Sequence, residues 1–220
     1  SGYDRAITLE RLGRCLRAQG RPRDAETEYR RVLAVLSGLD PEDEDVRRQT
    51  GVTHPALADA LTDQGRYAEA RSHYEESLKI DEALGDDRGQ AVTLGQLGTL
   101  ALMERNYAEA RARHREAIER FQAIGETRHE AIGWHQLGTV AETEAQGASG
   151  ADRGRLLSQA ETAYQESLRL KEAIGDKALA ATTTNQLAIV AGLANRPADA
   201  ERWYRRAIEF DSEMDNPKGL

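Results

Sequence analysis

"LADALTDQGRYAEARSHYEESL", residues 57–78, opens on a Leu-small pair, reaches Ala70 thirteen residues later, and then steps by four to Tyr74 and Leu78. The same series recurs along the chain. The Leu-small pairs are Leu12-Gly13, Leu57-Ala58, Leu97-Gly98, Leu137-Gly138 and Leu187-Ala188, spaced by 45, 40, 40 and 50 residues. Ala25, Ala70, Ala110 and Ala200 follow at the same offset, then the rings Tyr29, Tyr74, His114 and Tyr204, then Leu33, Leu78, Ile118 and Ile208. In the fourth copy the series Ala160, Tyr164, Leu168 arrives ten residues late, displaced by QGASGADRGR (146–155), whose composition reads as a loop insertion.

Both halves of each copy have helical spacing. Leu94, Leu97, Gly98 and Ala101 share one face, and Ala110, His114, Ile118 and Phe121 share another, with the polar break ERN between them. Small residues at 98 and 110 let two helices approach closely. Gly85, Gly125 and Gly175, with Asp215 in the last copy, stand where a helix ends in the left-handed conformation. The acidic DPEDED segment predicts a helix beginning at Asp40-Pro41, and Pro55 predicts a kink or restart within it. Strand signals are absent. One such helix pair cannot bury its apolar face, so neighbours must stack on it.

The pattern L-G-x2-A/L…G-R-Y-A-E-A-x3-Y resembles the tetratricopeptide repeat, in a long variant of about 40 residues. The resemblance implies an all-α, right-handed superhelical solenoid of antiparallel helix pairs, with first helices lining a concave groove and second helices on the convex side. It implies one array over 1–220, with repeats near 3–39, 41–85, 87–125, 127–175 (carrying the loop near 146–155) and 177–215. Residues 216–220 read as the start of a further repeat, so the chain is expected to be a piece of a longer protein.

With 39% hydrophobic and 31% charged residues the 220-residue chain is too apolar to be disordered, and its net charge of −8 argues against phosphate-backbone binding. The longest apolar run, Leu187–Ala194, falls far short of the roughly 18 residues that span a bilayer. A single cysteine excludes an internal disulfide and suits a reducing cytoplasm, where the protein is expected to act.

No motif for catalysis, phosphate or zinc is present, so no enzyme activity, cofactor or metal is expected. His129, Glu130 and His135 are spaced too poorly for a joint metal site, and the histidines read as solvated; His73 reads as surface and His114 as a core or half-buried ring. Trp134 falls on the packing face and Trp203 near its edge, while Cys15 takes a place held elsewhere by Ala60, Leu100, Val140 and Val190 and reads as buried filler.

Stepping about 100 degrees per residue from each first-helix Leu defines the opposite, groove-facing side. It holds Arg14 and Arg17, with Arg11 flanking; Asp59; Thr99 and Leu102, with Met103 alongside; His135 and Thr139; and Asn185, with Leu193 nearby. Gln96, Gln136 and Gln186 border this face. A Gln is a good helix former that can simply point to water. Its amide also donates and accepts, so three in register can pair with a peptide backbone of any sequence. The family's clamp for a chaperone C-terminus resembles a Lys two before and an Asn two after the first Leu; Glu10 and Arg14 stand there, so it does not carry over. Arg11, Arg14 and Arg17 suit an acidic segment, or form an exposed basic end, and Leu102, Met103 and Leu193 suit apolar anchors. The expected function is a peptide- or protein-binding scaffold, without nucleic acid or membrane partners. The alternative is the sensing region of a signalling ATPase or transcriptional regulator.

Overall fold

The computed structural model describes residues 2–215, and among these every regular element is an α-helix. In chain order they are α1 (Gly2–Ala18), α2 (Pro22–Leu36), α3 (Glu44–Thr62), α4 (Tyr67–Leu84), α5 (Asp87–Met103), α6 (Tyr107–Ala123), α7 (Thr127–Gly147), α8 (Gly150–Ala173), α9 (Lys177–Leu193) and α10 (Pro197–Asp215). The chain divides into two compact units, Ser1–Leu100 and Ala101–Leu220.

In the first unit α1 packs on α2 and α3 on α4, with α3 also resting on α2. Leu57, Leu61, Tyr29, Tyr74, Leu97 and Leu100 form its main core, and Val32, Leu36 and Val46 a second cluster. In the second unit α7, α8, α9 and α10 each pack on the next, around Leu156, Leu157, Tyr164, Leu187, Val190 and Phe210. The small residue after the Leu has a direct reason. A Cβ on Gly13 would stand 2.6 Å from the Tyr29 ring, and one on Gly138 2.6 Å from Tyr164. Gly85, Gly125 and Gly175 take the expected left-handed conformation, with φ of 65, 73 and 70°.

Several expectations are corrected. The proposed loop at 146–155 is almost entirely helix: α7 runs on to Gly147 and α8 begins at Gly150. The extension persists because it buries its own apolar residues, with Ala145, Leu156 and Leu157 joining the core and Arg153 Nη1 donating to the Ala145 carbonyl at 3.1 Å. α3 starts at Glu44 rather than at Asp40-Pro41, because Asp43 caps it by accepting from the Asp45 N–H at 2.9 Å. Asp40 instead accepts from the Glu42 N–H and holds a turn around Pro41.

Pro55 lies inside a continuous α3. A proline leaves the carbonyl four residues earlier without its helical donor. That carbonyl belongs to Gly51, and the buried Ser77 hydroxyl of α4 donates to it at 2.9 Å, so the helix carries on. The packing series also loosens in the outer pairs: Leu12 is 44% exposed, and Tyr204 and Ile208 are 45% and 63% exposed. Among the described residues α10 packs chiefly on α9, with Arg206 also reaching Glu172 of α8 at 3.2 Å. Asp215 is the last residue of α10; its side chain and residues 216–220 lie outside the described residues.

Candidate binding surface

α9 is the least charged helix face of the second unit. Ala178, Thr182, Asn185, Ile189, Gly192 and Leu193 are exposed along one stripe, and no residue from 178 to 195 carries a charge. By contrast α10 exposes Glu201, Arg202, Arg205, Glu209 and Asp211. The stripe exists because the rest of α9 is sandwiched between α8 and α10, which leaves one narrow face outward. Ile189 and Leu193 are 38% and 37% exposed there, enough to meet a partner. Gln186, at the edge of the stripe, is half-buried, and its Oε1 is buried without a donor.

Beside α9, the α7 residues His135, Gln136 and Thr139 are half-buried. His135 is not solvated as expected. Its Nδ1 lies 3.1 Å from Thr183 Oγ1 and its ring stacks obliquely on Tyr164, 5.1 Å between centroids. Burial, aided by the Lys171 charge, pushes its pKa down to about 4, so it is neutral at pH 7. The Tyr164 hydroxyl donates to Glu142 Oε2 at 2.7 Å and stands 3.2 Å from Thr139 Oγ1. Behind this wall the buried Lys171 Nζ donates to Thr183 Oγ1 at 2.6 Å. Burial lowers the Lys171 pKa to about 8.

His129 is half-buried, stacking on Phe121 and pairing with Glu126, and Glu130 is buried, accepting from Gln122 Nε2 at 2.7 Å. His114 is core, as expected, with burial holding its pKa at about 4. Trp134 and Trp203 pack against the cores with their indole N–H groups buried and unpartnered.

In the first unit the three arginines of α1 part company. Arg11 and Arg14 are exposed, Arg14 pairing with Glu10 at 3.2 Å. Arg17 is claimed internally, its guanidinium 2.6 Å from both Asp59 and Asp63. Asp59 also accepts from the Tyr74 hydroxyl at 2.5 Å, so it braces α1, α3 and α4 rather than standing open. Burial raises its pKa against these bonds. The basic end therefore reduces to Arg11 and Arg14. Cys15 is exposed, not buried, because it lies on the side of α1 that no other described helix covers. His73 is half-buried rather than surface, its Nδ1 2.9 Å from that of His54.

On α5, Gln96 and Thr99 are half-buried, and Thr99 donates to the Gly95 carbonyl at 3.1 Å. Leu102 packs against Ala101, Ala110 and Val140, while Met103 is 49% exposed. Of the expected apolar anchors, Met103 and Leu193 are thus the open ones.

Three buried charges escaped the sequence reading, Lys171, Asp81 and Glu130. Asp81 and Lys171 share their register position with the buried Leu36 and Phe121 but also with the exposed Asp211, so a charge at that position gave no sign of burial. Among the described residues no three metal-ligating side chains gather in one place, and no helix is long and apolar enough to cross a membrane.

Tetratricopeptide-repeat profiles match residues 50–123 and 151–213, and a second profile of the same description matches 8–45. No curated protein sequence matches the chain. Among solved structures it is similar to BtubC (BKLC) from P. vanneervenii, at a TM-score of 0.79 and 22% identity over 97% of this chain and 82% of that one. RapI in its apo form matches at 0.69 and 14% over 98% and 86%, and Pseudomonas aeruginosa PilF at 0.66 and 20% over 96% and 78%.

Proposed function

Because this chain belongs to the tetratricopeptide-repeat family, and so is a repeat scaffold for protein interaction, we propose that the outward faces of its first helices hold peptide segments of a partner, in each unit by itself. The observation that carries this reading is the uncharged stripe of α9. In a chain with 31% charged residues, an exposed helix face of Thr, Asn, Ile and Leu is best suited to being covered. Ile189 and Leu193 would supply apolar contact, and Asn185 and Gln186 would supply amide hydrogen bonds to the partner's backbone. A partner's N–H would also satisfy the Gln186 Oε1 that lacks a donor. Gln136 with His135 and Thr139 on α7, and Gln96 with Thr99 and the open Met103 on α5, would play the same part. Arg11 and Arg14 would favour an acidic segment on α1.

Partner capture tests this with Ile189→Asp, Leu193→Asp and the combined Gln96→Ala, Gln136→Ala, Gln186→Ala variant. The two aspartates are expected to abolish capture and the triple variant to weaken it, with circular dichroism unchanged. Equal capture by all folded variants would dispose of the proposal.

A further inference from the structure

The α2–α3 junction of the first unit is unlike the α4–α5 junction. It takes seven residues, 37–43, against two at 85–86, and this longer turn borders a cavity of about 600 Å³ between α2, α3 and α4. That volume falls within the ordinary range for small-molecule pockets. Its wall is mostly apolar, with Leu33, Leu36, Leu39, Val46 and Ile80 prominent.

One charged group in the wall is poorly satisfied. Arg47 donates through Nη2 to the Glu42 carbonyl at 3.2 Å, but its Nε–H is buried with no acceptor. A buried donor left unpaired costs free energy, and a guanidinium recovers most from a carboxylate. The other cation of the wall, Lys79, is already engaged by Glu76 at 3.1 Å. Of the nearby acids, Asp40 and Asp43 cap backbone N–H groups, Glu44 pairs with Arg48, and Glu42 meets Arg47 through its backbone carbonyl. None of them lines the cavity.

We propose that this cavity is a small-molecule site, separate from the α9 stripe, that takes a fatty carboxylate of medium chain length, the chain lying against the leucines and the carboxylate on Arg47. An apolar wall alone would accept any greasy molecule. The single underbonded guanidinium selects for an anionic head.

Calorimetric titration with decanoate, and with decanol as the same chain lacking the carboxylate, tests it on the wild type, Arg47→Met and Ala83→Trp. Decanoate is expected to bind saturably at one site, roughly tenfold or more weaker with Arg47→Met, while decanol is little affected by that change. Ala83→Trp, at an exposed position in the cavity wall, is expected to block both ligands and does not depend on Arg47 for folding. No saturable decanoate binding by the wild type overturns the site. So does a decanoate affinity that neither folded variant changes.

Discussion

Asp81 in the first unit and Lys171 in the second occupy one register position, once the ten extra residues of the fourth copy are discounted. Both are buried, at 7% and 2% exposed, and both meet a threonine four residues before the next Leu-small pair. Thr93 donates to Asp81 Oδ2 at 3.3 Å, whereas Thr183 accepts from Lys171 Nζ at 2.6 Å. Their pKa values move in opposite directions for the same cause. Burial pushes Asp81 up to about 6, with the Asp86 charge adding to it, and Lys171 down to about 8. The lesson is that the repeat dictates where a side chain sits but not its charge. A hydroxyl can donate or accept, so one backbone site serves either sign.

The comparison breaks most visibly at the threonines. Thr183→Val leaves the Lys171 ammonium buried without its acceptor and should cost about 3 kcal/mol, read as a lower Tm. Thr93→Val should cost less, since Ser77 still stands 3.5 Å from the Asp81 carboxylate.

Replacing the lysine sharpens the contrast. Because its folded pKa lies below the ordinary value of 10.5, its contribution to stability grows as pH rises from about 8 to 10.5. Lys171→Met should therefore raise stability by about 2 kcal/mol at pH 7 and remove that alkaline gain in thermal melts. A melt series whose alkaline slope is unchanged by the substitution would contradict this.

Asp81 should show the smallest effect and the opposite pH sense. Its folded pKa lies above the ordinary 3.8, so the stability it contributes is greatest when protonated and is lost as pH rises from about 4 through 6. Asp81→Asn keeps a hydrogen-bonding group without the charge and should gain about 1 kcal/mol at pH 7. Stability curves of variant and wild type should converge at pH 4.

Much of this was legible in the residues. The Leu-small pairs and the glycines after each second helix mark backbone requirements, close approach and left-handed φ, that few residue types satisfy. Pro55 was legible too, but its consequence was not, because the Ser77 hydroxyl that rescues the Gly51 carbonyl comes from 26 residues away. QGASGADRGR misled for a related reason. Its Gly and Ser content favours a loop, yet burial of Leu156 and Leu157 outweighs local preference. Arg17 and Asp59 each looked open when taken singly, and the fold turned them toward one another.

The sequence by itself determined the helix pairs, their register and the family, since periodic packing constraints repeat in every copy and can be read locally. Only the tertiary structure decided which charges are buried, which arginines stay exposed, and where a cavity opens. Those outcomes depend on desolvation and on partners distant along the chain, and neither is encoded at any single position.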